Sequence, residues 1–217
     1  MDLAILSVNI ARARVIASVD GEPVLSGIDK RPVLHDVQVG RLGIAGDEQA
    51  DLTVHGGADK AVYAYPARNW PWWKTARHLD CVPATFGENL TLDGCDEDDV
   101  AIGDRFRWGD AVLEVSQPRA PCYKLAIHLG RADVPTAMTV FARCGWYYRV
   151  VEEGRAPATD TKISRIDARG GPSVRDTFRA LFDPRMADAA KLRVLEAPEL
   201  AASWRRPLAR KLQRTDR

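Results

Sequence analysis

Residues 102–125 read Ile-Gly-Asp-Arg-Phe-Arg-Trp-Gly-Asp-Ala-Val-Leu-Glu-Val-Ser-Gln-Pro-Arg-Ala-Pro-Cys-Tyr-Lys-Leu. Two strand-like runs, 105–108 and 111–116, flank the turn-forming pair Gly109-Asp110. Short runs joined by a tight glycine turn are typical of a β-hairpin. The second run leads into a loop in which Pro118 and Pro121 force irregular backbone before Cys122. This stretch therefore predicts a hairpin that ends at a cysteine loop.

The same alternation of short strands and turns continues on both sides of this hairpin. Apolar or alternating runs predict further strands at 3–8, 33–39, 60–65, 146–151 and 161–166. A second hairpin is expected over 14–26, and helices are expected over 66–78 and 134–144. The tryptophans of the first helix are predicted to pack in the core. Many short strands with few helices favour a closed or nearly closed β-barrel.

The pattern changes to helices after Gly170. Ser173 and Asp176 form a capping box that predicts a helix start, and further helices are predicted from Asp183 and from near Pro198. A unit of this size has little core of its own, so we expect it to dock on the barrel or on a partner. The predicted fold class is mainly β with α.

The sequence predicts two domains, a β-barrel over residues 1–167 and a small three-helix domain over 168–217. No apolar run approaches membrane-spanning length and no basic leader opens the chain, so we expect a cytoplasmic protein without membrane association. The net charge is +1, but residues 169–217 carry 12 basic and 6 acidic side chains. Basic helices usually present a solvated face, so stable nucleic-acid binding is not expected.

Cys122 is the candidate catalytic or metal-binding residue. The four cysteines contain no Cys-x-x-Cys pair and the four histidines no helical metal-binding pair, so neither a zinc site nor a disulfide framework is predicted. Arg119 and Lys124 flank Cys122 and would favour its thiolate if they lie near the sulfur. A thiolate is a soft metal ligand and a nucleophile. The alternative is a small buried hydrophobic side chain, and the residue pattern leaves both open.

Three polar segments accompany this cysteine. The glycine-rich segment 40–57 predicts close backbone approach to a ligand, or else a set of hairpin turns. Segment 86–90 is a turn or a site wall, because a buried Glu88 or Asn89 would need partners. The acidic segment 93–99 is expected to be solvated, and it lacks the alternation of a calcium loop.

Together these segments resemble the MOSC family, named for the C-terminal domain of molybdenum cofactor sulfurases. The resemblance is carried, in the family's order, by Gly-Asp-Glu-Gln at 46–49, Val-His-Gly-Gly-Ala-Asp-Lys-Ala-Val at 54–62, Phe-Gly-Glu-Asn-Leu at 86–90, Ile-Gly-Asp at 102–104 and Ser-Gln-Pro-Arg-Ala-Pro-Cys-Tyr-Lys-Leu at 116–125. The C-terminal helices resemble those of a bacterial branch whose characterised members reduce N-hydroxylated bases such as 6-hydroxylaminopurine. The resemblance implies a β-barrel that holds a molybdenum-pterin cofactor, of the molybdopterin type, with Cys122 as metal ligand.

The resemblance also implies roles for other residues. His55 and Asn89 would join Cys122 in catalysis by donating hydrogen bonds to an oxo ligand or to the pterin, although structural roles are equally compatible with the pattern. The residues implied to bind the cofactor are Gly56, Gly57, Lys60, Arg119 and Lys124. The glycines would allow backbone approach, whereas the cations would hold the phosphate or else serve as ordinary surface charges.

The activity implied by the resemblance is reduction of a small N-hydroxylated substrate. The chain shows no flavin or iron-sulfur motif, so the electrons would come from an external donor protein. A carrier of the cofactor or of sulfur would need the same accessible thiolate and is the alternative. A thiol hydrolase or peroxidase ranks last, because no histidine base lies near Cys122 in sequence. A homodimer is left open.

Overall fold

The computed structural model describes residues 1–50 and 56–215, with only the backbone described at 214 and 215. The strands in chain order are β1 (Asp2–Ile10), β2 (Arg14–Val19), β3 (Glu22–Ser26), β4 (Arg31–Pro32), β5 (Val37–Gly40), β6 (Gly43–Ile44), β7 (Val62–Pro66), β8 (Leu90–Asp93), β9 (Arg105–Trp108), β10 (Ala111–Pro118), β11 (Trp146–Glu152), β12 (Gly154–Ala156) and β13 (Thr161–Asp167). The helices are α1 (Trp70–Arg77), α2 (Tyr123–Leu129), α3 (Asp133–Phe141), α4 (Val174–Phe182), α5 (Asp188–Glu196) and α6 (Ala202–Thr215).

Seven strands close into a barrel. The order is β1-β8-β7-β11-β10-β9-β13, and β13 pairs back to β1. Neighbouring strands are antiparallel except β7 and β8, which run parallel. Closure removes the exposed sheet edges that an open sheet would present. The predicted mainly β fold with a β-barrel and C-terminal helices is therefore confirmed.

β10 is buried along its whole length. All eight of its residues are buried, because the core covers one face and the C-terminal helices pack against the other. Its polar side chains are paired: Glu114 accepts from Arg105 and Arg149, at 2.7 Å each, and Gln117 accepts from Ser203 at 2.6 Å. Burial on both faces explains why these polar side chains are paired.

The tryptophans of α1 pack in the core, as predicted. Trp73 is fully buried and its indole N–H donates to the hydroxyl of Tyr65 at 2.5 Å. The ring of Trp72 contacts the rings of Trp73 and Phe141, and Trp70 is partly buried against the same core. Tertiary burial therefore explains the concentration of large aromatic side chains in this helix.

Several predicted boundaries are wrong. The run 33–39 is not one strand, because residues 33–36 are not in a strand and β5 begins only at Val37. Pro66 ends β7 instead of opening a helix, and α1 begins at Trp70. α5 begins at Asp188 rather than at Asp183. α2 was not predicted at all.

The acidic segment 93–99 is not simply solvated, because Glu97 is fully buried. Its carboxylate accepts hydrogen bonds from Asn69 and from the Gly145 N–H, both at 2.9 Å, and pairs with Arg175 at 3.3 Å. Arg175 lies in the first turn of α4, and Ser173 caps that helix by accepting from the Asp176 N–H as predicted. The C-terminal helical unit, α4–α6, is therefore anchored to the barrel through a buried ion pair.

Within the part of the chain that the structure describes, no helix has both the length and the apolar character that crossing a membrane requires.

Candidate functional site

A cavity lies against β7 and β11, where the predicted motifs come together. Tyr63 and Tyr147 are cross-strand neighbours, and their rings form one wall with centroids 5.2 Å apart. The described residues that line the cavity are Ser26, Gly27, Ile28, Lys30, Asp47, Glu48, Gln49, Ala50, Lys60, Tyr63, Phe86, Gly87, Asn89, Arg119, Cys122, Lys124 and Tyr147. Segments far apart in sequence thus share one site.

Cys122 lies at the cavity wall with its side chain half-buried. The loop after β10 ends at this residue, whose backbone is extended, and α2 begins at the next position. Cys95 and Cys144 are instead fully buried, and burial raises the pKa of the Cys81 thiol to about 12. Cys122 therefore differs from the other cysteines in facing a cavity lined by cations.

Arg119 is a buried cation in the same wall, with 5% of its surface exposed. Its guanidinium lies 3.4 Å from the sulfur of Met138 and 5.3 Å from the ring centroid of Tyr63. Burial alone would lower the pKa of Arg119, but Tyr63, Tyr147 and Cys122 outweigh it and the pKa is raised. Across residues 1–50 and 56–215, no carboxylate forms an ion pair with Arg119. A buried cation without a carboxylate partner favours an anion in the cavity.

Lys30 and Asp47 form a second charged group in the wall. Both side chains are buried, and the Lys30 ammonium donates to the Asp47 carboxylate. Burial lowers the pKa of Lys30, although Asp47 opposes that shift. No local sequence pattern predicts the burial of Lys30, because it stands between the charged residues Asp29 and Arg31.

Asn89 lies in the wall but its side chain is fully engaged. Its carbonyl accepts from the Tyr63 N–H at 3.0 Å, and its amide group donates to the Asn9 carbonyl at 3.1 Å and to Asp47 at 2.9 Å. Both amide hydrogens are thus used, and none is left for an oxo group or a pterin. In this structure Asn89 orients Asp47, a different role from the one that the resemblance implied.

Asn89→Ala is expected to lower the free energy of unfolding by about 2–3 kcal/mol, because it leaves three buried polar groups without their partner. Urea denaturation measures this loss. Gln49→Ala, in the same cavity wall at a partly exposed position, is the matched control and should change stability by less than about 0.5 kcal/mol. Equal stability of Asn89→Ala and the wild type would contradict the hydrogen bonds assigned to the Asn89 side chain.

Lys60 and Lys124 complete the positive side of the cavity. Partial burial lowers the pKa of Lys60, with Asp59 opposing the shift. The Lys124 ammonium donates to the Leu25 carbonyl at 2.8 Å, which ties α2 to the β2–β3 hairpin. Four basic and two acidic side chains line the described wall, so an anionic ligand is favoured.

The described cavity lining includes Gly27 and Gly87, whereas the cofactor-binding role of Gly56 and Gly57 stays a prediction. Gly56 and Gly57 are absent from the described lining, and a Cβ added at Gly57 would meet nothing within 4 Å. At Gly27 an added Cβ would lie 2.1 Å from the Glu48 carbonyl oxygen, and at Gly87 it would lie 2.5 Å from Ile28. Both positions therefore require glycine. His55, the remaining predicted residue, lies outside the described residues.

Among the described residues, no group of three or more His, Cys, Asp or Glu side chains could hold a metal ion. The described cavity thus offers one sulfur ligand beside positive charge. A metal held here would take its other ligands from a cofactor or from solvent.

Comparison with known proteins shows the family and the fold of the chain. A family model described as MOSC domain matches residues 51–164, and one described as YiiM-like, 3-alpha helix domain matches residues 172–215. The protein YflK of Bacillus subtilis (strain 168) is 38% identical over 212 residues, 97% of this chain and 95% of YflK. A protein of Gibberella moniliformis named "Reductase" is 36% identical over 148 residues, 65% of this chain and 26% of that protein.

The crystal structure of YiiM from Geobacillus stearothermophilus superposes with a TM-score of 0.79. It is 32% identical, and the alignment covers 97% of this chain and 99% of that one. The family match, the full-length relative and the shared fold agree with one another. The chain therefore belongs to the MOSC domain family and carries the YiiM-like three-helix domain at its C-terminal end.

Proposed function

We propose that the protein is a molybdenum-pterin-dependent reductase of N-hydroxylated compounds, with the metal bound through Cys122. The observation that carries this proposal is the pairing, in one cavity, of a half-buried thiol with the buried Arg119, which has no carboxylate counterion among the described residues. A soft sulfur ligand beside an unneutralised cation suits an anionic metal cofactor. The fungal relative named "Reductase" supports an oxidoreductase activity.

The residues of the cavity fit such a cofactor by their chemistry. The thiolate of Cys122 would bind the metal, while Arg119, Lys60 and Lys124 would hold the anionic phosphate. Gly27 and Gly87 bring backbone close to the cavity, where a side chain would not fit. Tyr63 and Tyr147 provide aromatic faces on the remaining wall.

The reaction converts R–NH–OH, with two electrons and two protons, into R–NH₂ and water. When bound, the cofactor would supply the two-electron chemistry of this reduction. The Lys30 ammonium holds a proton at the cavity wall, and Asp47, oriented by Asn89, fixes its position.

The partners belong to the same proposal. A small N-hydroxylated base is the proposed substrate, and an external protein is the proposed electron donor because the sequence shows no redox motif of its own. The cytoplasmic location and the absence of nucleic-acid binding stay predictions from sequence. Formation of a homodimer is likewise left open by the sequence.

The test is to express the protein in a host that makes the molybdenum-pterin cofactor, measure bound molybdenum, and supply 6-hydroxylaminopurine with a reduced electron donor. A reductase binds molybdenum and forms adenine. Bound molybdenum without formation of adenine would favour the alternative, a carrier of the cofactor or of sulfur. The same half-buried thiol could hold the sulfur as a persulfide. A protein that binds no molybdenum and forms no adenine would contradict the proposed function.

A further inference from the structure

The C-terminal helical unit contacts the barrel at the residues that hold the Lys60 turn. β10 carries a register shift between Val115 and Gln117, so Ser116 has no partner in the ladder with β11. Its carbonyl instead accepts from the Ala201 N–H at 3.0 Å. Its hydroxyl lies 2.6 Å from the carbonyl oxygen of Asp59 and 3.0 Å from that of Tyr147. One bulged residue thus joins the helical unit to two parts of the cavity.

Arg149 on β11 makes a second connection of the same kind. Its guanidinium donates to the Glu199 carbonyl at 2.9 Å and to the Asp59 carboxylate at 2.8 Å. It also pairs with Glu114 at 2.7 Å. Asp59 lies in the short turn Ala58–Lys60, next to the lysine that lines the cavity. The turn is therefore held at its backbone by Ser116 and at its side chain by Arg149.

We infer that the C-terminal helical unit is a positioning element of the cavity, which fixes Lys60 through Arg149 and Ser116. Residues 199–201 provide the Glu199 carbonyl, which accepts from the Arg149 guanidinium, and the Ala201 N–H, which donates to the Ser116 backbone carbonyl. An ordered lysine binds an anion more tightly than a mobile one, because less side-chain entropy is lost on binding. This inference rests on the proposed function in one respect, that Lys60 binds the anionic part of the cofactor.

The experiment measures binding of inorganic pyrophosphate to the full chain by calorimetry, without cofactor and without turnover. Lys60→Met is expected to weaken binding about tenfold, and Arg149→Met at least about threefold. The double variant should bind no more weakly than Lys60→Met, because Arg149 acts only through Lys60. Ser203→Ala is the matched control: it removes the contact between the helical unit and Gln117, away from the turn, and should bind like the wild type.

Arg149→Met leaves Glu114 paired with Arg105, so the variant is expected to fold. Asp59→Asn provides a second test, since it weakens the link to Arg149 at a partly exposed turn, and it should also reduce binding. If Lys60→Met binds like the wild type, both the proposed phosphate role of Lys60 and this inference fail. Only the positioning inference fails if Lys60→Met weakens pyrophosphate binding while Arg149→Met and Asp59→Asn bind like the wild type. It also fails alone if Arg149→Met weakens binding by the same factor in the wild type and in Lys60→Met.

Discussion

Arg175→Met is expected to lower the free energy of unfolding by about 3–5 kcal/mol, because it removes one partner of a buried ion pair and leaves the other charge uncompensated. Glu97 is fully buried, and its carboxylate would keep the hydrogen bonds from Asn69 and the Gly145 N–H but lose the ion pair with Arg175. The guanidinium also donates to the carbonyls of Phe141 and Ala142, at 3.1 Å each. These acceptors lose their donor as well, and the helical unit loses its anchor.

Urea denaturation of the full chain measures this effect. Arg185→Met is the matched control, because Arg185 is 90% exposed and pairs only with Asp183 in the same loop. An exposed pair of this kind contributes little, so the control should lie within about 0.5 kcal/mol of the wild type. A loss below about 1 kcal/mol for Arg175→Met would show that the buried pair does not anchor the helical unit.

The loss should also depend on pH. Burial raises the pKa of Glu97, and Arg175 opposes that shift. Because the folded-state pKa is raised, the stability contributed by Glu97 is present below its unfolded pKa and is lost as the pH rises through the folded one. Without Arg175 the pKa rises further. Arg175→Met should therefore be destabilised less at about pH 5 than at about pH 7.5.

Local patterns were sufficient to predict most of the barrel. The hairpin over 14–26 turns at Asp20-Gly21, where both residues adopt positive φ, and the hairpin around Gly109 forms as its sequence indicated. The capping box at Ser173 likewise marked a helix start. Each of these signals lies within a few neighbouring residues, so the sequence alone reveals them.

The features that were missed depend on tertiary contacts or lack a local signal. α2 begins at Tyr123, the preceding Cys122 forms no side-chain capping bond, and the first turn of the helix carries no acidic residue. The predicted helix over 134–144 ends early, at Phe141, with Ala142 in the left-handed region. Gly145 lies beyond this helix end, and its position requires glycine because an added Cβ would lie 2.3 Å from the Ala64 carbonyl oxygen.

The site residues likewise divide into those that the sequence indicates and those that depend on tertiary contacts. Arg119, Lys60, Lys124 and Cys122 were identified by sequence and lie together in the cavity. Lys30 was not identified, because its burial depends on Asp47, 17 residues away. The engagement of Asn89 depends on Asn9, 80 residues away. Such long-range partners are invisible to spacing rules, which describe neighbours along one strand or helix.

Cys122→Ser is expected to fold like the wild type yet to lose bound molybdenum and all reductase activity. The change replaces one atom at a half-buried position outside the barrel strands, so stability should change by less than about 1 kcal/mol. A serine hydroxyl stays protonated where a thiol can ionise, and it provides a hard oxygen in place of a soft sulfur. The variant should therefore lose bound molybdenum while its stability changes little.

Cys81→Ser is the control for loss of any partly buried thiol. Cys81 does not line the cavity, and burial raises the pKa of its thiol to about 12, which keeps it protonated. This variant should bind as much molybdenum as the wild type. Thermal denaturation of both variants checks that any difference in metal content does not come from unfolding.

The most direct measurement is the molybdenum content of purified wild type, Cys122→Ser and Cys81→Ser, each made in a host that supplies the molybdenum-pterin cofactor. The wild type and Cys81→Ser should carry the metal, and folded Cys122→Ser should carry at least about tenfold less. Folded Cys122→Ser with the molybdenum content of the wild type would contradict the assignment of this sulfur as the metal ligand.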